Sequence, residues 1–393
     1  MTAVYTFWER TAHIFGISVL KLVDVPEHAY SFHYFFLFRE LNITSCPVTD
    51  DGIKGLCVSE DDLGRPSNRL GQSKLIVKLM INYTEITRVG IQMALENLKG
   101  LKILDCCSSV QVLGEMHQEA WENQLPDIPE YQLVDLHCTN DVFTDLPYRS
   151  GSLASAVSLC SRLLKLRIVT QEWMTDKDMI ALTGLCNLQQ FSIGAGEVCL
   201  VSFSDGILPL LQSFGKSLQN LTIAEFPKVN IRSIVEYCPD LRSIELLMNR
   251  KYDSHWVENN RKAPPCPGLK NLQSLHLVGT CYENYEDDYI PEKHIGLLLL
   301  SPSLVHVYVK DCPTLTDNVL RKACAIHQFA NLEHLELERC HHFKPESVEL
   351  LLKPSNSLKK LLLWQCQLIT RQMVAKWSKK VEKSKWKLSL QWN

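Results

Sequence analysis

One phrase of apolar and polar positions runs through this chain. An aliphatic residue is followed after two variable positions by two more aliphatics flanking a polar residue. Two further positions lead to a small closing residue. It reads most clearly three times in succession: Leu304, Val307, Val309, Cys312; Leu332, Leu335, Leu337, Cys340; and Leu358, Leu361, Leu363, Cys366, at intervals of 28 and 26 residues. The alternation inside each phrase predicts a short strand that shows one face to a core. Between the phrases, Asn318 to His327 and Ser347 to Lys353 carry apolar residues at helical spacing. A single strand and helix cannot bury their apolar faces alone, and stacking successive units solves the problem.

The pattern and period are those of a leucine-rich repeat whose closing position is cysteine. Earlier copies begin at Ile17, Leu20, Leu22, Val25, and continue with Phe38, Leu41, Ile43, Cys46; Ile76, Leu79, Ile81, Thr84; and Leu98, Leu101, Ile103, Cys106. The fifth can start at Tyr131 or at Leu133. Then follow copies opened by Leu163, Leu188, Leu218, Leu241 and Leu272, and after the three clear ones Leu388, Leu390 and Asn393 end the chain on the closing position. The expected fold is therefore an α/β leucine-rich-repeat solenoid, a horseshoe with a parallel sheet on the concave face and helices on the convex face. Residues 1–16 read as an N-terminal segment or partial cap, 17–369 as an array of about 12–13 units, and 370–393 as a C-terminal capping repeat.

Composition fits this reading. Hydrophobic residues make up 46% of the 393, enough to fill one continuous core, and a net charge of −3 argues against nucleic acid or membrane as the main partner. Fifteen cysteines could imply a disulfide framework. However, Cys46, Cys106, Cys312, Cys340 and Cys366 take closing positions, and Cys160, Cys186 and Cys238 fall just ahead of a phrase, so cysteine acts here as a small hydrophobe. All fifteen thiols are expected free, and with no secretory signal at the N-terminus the expected compartment is cytoplasmic or nuclear. The sequons at Asn42, Asn82 and Asn220 fall inside predicted strands and read as chance products of a polar strand face.

Three stretches carry a family resemblance: "LNITSCPVTDDGIKGLC" (Leu41 to Cys57), "CPDLRSIELLMN" (Cys238 to Asn249) and "VYVKDCPTLTDNVL" (Val307 to Leu320). They resemble the cysteine-containing repeats of F-box/LRR proteins, and Cys-Pro followed by Thr-Asp and an apolar residue is the specific part. In "TDDGI" and "TDNVL" the Thr or Asp is expected to cap the following helix. The resemblance implies substrate recognition for an F-box-type ubiquitin ligase, with the substrate protein on the concave face and a cullin–RING ligase adaptor as second partner where an F-box lies upstream. The F-box itself is not visible, since only sixteen residues precede the first copy. The alternative is a free-standing repeat scaffold or inhibitor that clasps one protein without a ligase.

Enzymatic signatures are missing: no glycine-rich phosphate loop, nucleophile elbow or metal-ligand pair. No catalytic residue, cofactor or metal is expected. Cys340-His341-His342 reads as a core cysteine with exposed turn histidines, and His306 and His334, in the same slot of adjacent repeats, are too few for a zinc site.

The informative surface is the concave sheet, where stacking turns every polar slot into a row with steps of about 4.8 Å. Toward the C-terminal end the rows hold Tyr308, Lys310, His334, Glu336, Glu338, Arg339 and Trp364, and Lys310, Glu338 and Trp364 share one slot. These seven are the expected partner-binding residues, because exposed Trp, Tyr and Arg on a rigid sheet are the usual anchors of an interface. Earlier repeats offer Met80, Tyr83, Lys102 and Arg167. Two long insertions, the basic Arg250 to Gly268 with Trp256 and the acidic Cys281 to Lys293 with Tyr285, leave from one edge. They either pair over the rim and add loop contacts through Trp256 and Tyr285, or stand apart as solvated loops. The last 24 residues hold seven Lys or Arg against one Glu. They read as the polar face of a terminal helix sealed by Trp377, Trp386 and Trp392, rather than as a basic binding patch.

Overall fold

The structure, a computed structural model, describes residues 19–21, 39–57, 75–124, 129–138, 148–253, 268–280, 289–352 and 357–393. Trp256, Tyr285 and the predicted loop pairing lie outside them. The chain divides into two units, Met1–Met174 and Thr175–Asn393.

In unit 1, strands β1 (Val19–Lys21), β2 (Glu40–Asn42), β3 (Lys78–Met80), β4 (Ile103–Asp105), β5 (Asp135–Cys138) and β6 (Lys165–Val169) pair parallel in chain order. The helices between them are α1 (Asp50–Cys57), α2 (Arg88–Asn97), α3 (Ser109–Glu122) and α4 (Ser152–Ser158). Unit 2 opens with α5 (Asp176–Ile180) and continues through β7 (Gln190–Gly194), α6 (Leu208–Phe214), β8 (Asn220–Ala224), α7 (Ile231–Tyr237), β9 (Ser243–Leu247), β10 (Ser274–Val278) and α8 (Glu292–Leu299). It ends with β11 (His306–Lys310), α9 (Asp317–His327), β12 (His334–Glu338), α10 (Pro345–Leu351), β13 (Lys360–Trp364), α11 (Arg371–Lys383) and β14 (Ser389–Trp392). Its eight strands also pair parallel in order. Strand, turn and helix recur as the phrase predicted, and the fold is the leucine-rich-repeat solenoid.

Register within each unit is set by the two strand aliphatics. Leu335 pairs with Val307 and Leu361, and Leu337 with Val309 and Leu363; all six are at most 4% exposed. The first residue of each phrase seals the turn behind it. Leu101, Leu163, Leu188, Leu218, Leu241, Leu272 and Leu332 each donate their N–H to the carbonyl three residues earlier. This bond corrects the frame of the fourth copy. Leu101 opens it, Leu104 pairs with Leu79, and Cys106 fills the second strand slot, so the closing residue is Ser109. Sequence spacing could not distinguish the frames, because Leu98, Leu101 and Leu104 repeat every third residue. The fifth copy starts at Leu133, since Leu136 pairs with Leu166. The last copy also shifts: Leu390 and Trp392 pair with Leu361 and Leu363, so Asn393 falls short of the closing position.

The closing position has a defined task. Cys340 Sγ donates to the carbonyls of Val309 and Glu338 at 3.5 and 3.6 Å, and Cys366 Sγ does the same for Leu337 and Trp364. Asn249 does it more strongly, with Nδ2 on Ile223 O at 2.9 Å and Oδ1 accepting from Phe226 N at 2.8 Å. A buried carbonyl left unpaired is costly, so a small donor is favoured here. Burial raises these thiols: Cys312 to about 12, with Cys340 and Cys366 also above their usual range. None of the thirteen described cysteines is in a disulfide. The residue before the closing position is left-handed in seven repeats (Ser45, Tyr83, Glu225, Met248, Asp311, Arg339 and Gln365, φ 48–60°). For six of them the N–H reaches a carbonyl of the next repeat at 2.7–3.0 Å, which offsets the cost of that conformation.

The Thr-Asp motif bolts repeats together. The threonine caps its own helix: Thr316 Oγ1 accepts from Val319 N. The aspartate reaches the next one. Asp50 accepts from Thr87 N at 2.8 Å and Gly90 N at 3.1 Å, Asp176 from Ser202 N at 2.7 Å, and Asp317 from Lys344 N at 3.0 Å and Ser347 Oγ at 2.5 Å. Gly90 and Gly206 leave room for this approach, since a Cβ at either would overlap the carboxylate. Asp317→Ala is therefore expected to cost about 1–2 kcal/mol, as other lost caps do. A urea titration should show a lowered midpoint with an unchanged slope.

Candidate functional site

Three rows of side chains cross the sheet face of unit 2. The first runs Gln190, Asn220, Ser243, Ser274, His306, His334, Lys360 and Ser389; the second Ser192, Thr222, Glu245, His276, Tyr308, Glu336, Leu362 and Gln391. The third holds Gly194, Ala224, Leu247 and Val278, then Lys310, Glu338 and Trp364. The fold thus brings together six of the seven expected contact residues: Tyr308, Lys310, His334, Glu336, Glu338 and Trp364. Arg339 lies outside these rows, although its Nη1 still comes within 3.7 Å of Glu338 Oε1. It sits in the left-handed turn after β12, where its guanidinium clasps the Asp311 carboxylate (Nε to Oδ1, 2.5 Å), because a residue in that conformation has left the pleat that would aim it over the sheet.

The charges on this face neutralise one another. Lys310 Nζ lies 2.9 Å from Glu338 Oε1, and the Tyr308 hydroxyl donates to Glu338 Oε2 at 2.9 Å. Burial pushes the Glu338 carboxyl up, but these two hydrogen bonds outweigh it and hold it below its ordinary value. Lys360 pairs with Glu336 at 2.8 Å, and His276 faces Glu245 at 4.0 Å. The imidazoles of His306 and His334 meet edge to face at 4.6 Å, and His276 packs on Tyr308 at 4.5 Å. Burial lowers the pKa of both His334 and His276, and for His334 the neighbouring His306 adds to it. At neutral pH this part of the face carries little net charge. Among the described residues no group of three or more His, Cys, Asp or Glu could hold a metal ion.

Two side chains on this face are less exposed than their slots suggest. Leu362 shares a row with Glu336 and Gln391 yet is 6% exposed, being short and flanked by longer side chains. Tyr308 is half-buried, with its ring against His276 and its hydroxyl tied down. Trp364 is 43% exposed, as its slot predicts. Sequence reading missed the half-buried strip of Ala224, Leu247 and Val278, which runs in the same row toward Lys310, Glu338 and Trp364. Tabulating that one slot through every copy would have found it.

Unit 1 carries a different cluster. His137 bridges two carboxylates: Nδ1 is 3.2 Å from Asp105 Oδ1, and Nε2 is 3.1 Å from Asp135 Oδ1. Arg167 lies 3.6 Å from Asp135, and Asn82 Nδ2 donates to Asp105 at 2.7 Å. Asp135 and His137 are 5% and 8% exposed. Burial pushes the imidazole down, but the bonds to Asp105 and Asp135 win and raise it to about 9. The expected early set needs correction accordingly. Met80 and Arg167 share the row of Asp105 and His137, whereas Tyr83 is a turn residue and Lys102 precedes its strand.

No protein-family model matches this sequence, and no curated protein does. Solved structures are similar to this chain. A chain of the yeast Rad7–Elc1 complex is similar over 84% of this chain and 76% of its own length, at 15% identity and a TM-score of 0.51. An internalin from Listeria monocytogenes is similar over 88% of both chains, at 14% identity and a TM-score of 0.43. A repeat protein of Leptospira interrogans covers 97% of both, at 14% identity and a TM-score of 0.28. No helix among the described residues is long and apolar enough to cross a membrane.

Proposed function

We propose that the sheet face of unit 2 binds a protein, and that the chain recognises a substrate for an F-box-type ubiquitin ligase. The observation that carries the binding reading is Trp364. It stands 43% exposed beside the neutralised Lys310–Glu338 pair, in a row that otherwise leads into aliphatic side chains. An exposed Trp gains nothing from water, and Trp is among the residues most enriched at the centres of interfaces. Two things support the ligase reading. The Cys-Pro and Thr-Asp repeats resemble those of F-box/LRR proteins, and the yeast chain of like fold comes from a two-protein complex.

Affinity purification of the tagged chain from cells, read by mass spectrometry, tests this directly. Cullin–RING subunits co-purifying with one main partner are expected. That partner should accumulate when the chain is depleted. A partner recovered without ligase subunits, at an unchanged half-life, would make the chain a free-standing scaffold or inhibitor instead.

A further inference from the structure

Helix α11 and the residues after it form the most one-sided charged surface of unit 2. Residues 370–393 hold seven of the 41 Lys and Arg and one of the 44 Asp and Glu, a net +6 against −9 for the rest of the chain. All seven cations are exposed. Lys376, Lys379, Lys380 and Lys383 recur at helical spacings of three and four, so they form one stripe opposite the buried Trp377 and Val381. Among the described residues only Lys376 of these has an ion-pair partner, Glu349 at 3.2 Å. No other described helix carries more than two Lys or Arg, and the acidic α3 meets a cation from its neighbour, Arg88 lying against Glu115 and Glu119. A terminal cap needs polarity alone, and like charges at this spacing weaken the helix that carries them.

We propose that this stripe docks an acidic protein segment, at a site separate from the sheet face. Cations one helical turn apart match the carboxylates of an acidic helix or strand. Single-stranded nucleic acid fits less well, because it calls for aromatic platforms beside the cations. On α11 itself Trp377 is 1% exposed; Trp386 is only half-exposed, and Trp392, 38% exposed, lies on β14 with its Nε1 held by the Ile369 carbonyl rather than in the lysine stripe. An anionic membrane fits less well too, since the exposed face of α11 offers no large apolar side chain to insert.

The test titrates the full chain at physiological salt with a fluorescein-labelled poly-glutamate peptide, a single-stranded oligonucleotide of equal charge and phosphatidylserine vesicles. The peptide should bind more tightly than the other two. Its affinity should fall with added salt and drop about tenfold or more in the triple variant Lys379→Glu, Lys380→Glu, Lys383→Glu. Lys→Gln at the same three positions should give an intermediate loss, with melting curves confirming that both variants fold. Changing Trp364 and Tyr308 to alanine should leave peptide binding intact, which keeps this site distinct from the sheet face. Tighter binding of the oligonucleotide or the vesicles, or equal binding by the triple variant, would overturn the proposal.

Discussion

Trp377→Ala should cost about 3–5 kcal/mol of stability, while Trp364→Ala, one repeat away, should cost less than about 0.5. Among the described residues Trp377 is the largest fully buried side chain, 1% exposed on the inner face of α11, with Nε1 3.4 Å from Glu349. Its removal leaves a cavity that the terminal repeat cannot close. Stability in an array is a sum of local terms, so the loss should appear as fraying of β13 and β14. Hydrogen exchange and a denaturant titration together would show it. Equal losses for the two tryptophans would mean that the faces are misassigned.

The second large effect is expected at His137. Truncation to alanine leaves Asp105 and Asp135 facing each other without their shared partner, and breaking a buried ion pair typically costs about 3–5 kcal/mol. The same contact makes stability depend on pH. Because the folded value is raised from 6.5 to about 9, the contribution is complete below the ordinary histidine value and is lost as pH rises through about 9. Melting temperatures between neutral pH and pH 10 should fall in the native chain and stay flatter in His137→Gln. A flat native profile would show that His137 is neutral in the fold.

The repeat was legible because strand aliphatics and closing residues are placed by burial, which spacing reports. Where spacing was degenerate, as at Leu98, Leu101 and Leu104, the frame depended on a turn hydrogen bond that no pattern encodes. That slip hid the unit 1 cluster: in the wrong frame Asp105 and His137 do not share a row. On unit 2 the frame held as far as β13, so six of seven candidate residues landed on one face. Arg339 left the row for a local reason, the left-handed backbone before Cys340, and meets Glu338 from the turn. The pairings themselves, Tyr308 on Glu338 and Lys360 on Glu336, depend on rotamers rather than register.

The central claim is that the unit 2 sheet face holds a protein partner through Tyr308 and Trp364. The most direct measurement is a binding titration of the Tyr308→Ala, Trp364→Ala double variant against the main partner recovered from cells, alongside a melting curve. Affinity should fall by about 2 kcal/mol or more, roughly thirtyfold, with only a small loss of stability from the Tyr308–Glu338 hydrogen bond. Unchanged affinity in a folded double variant would contradict the claim and place the binding surface elsewhere.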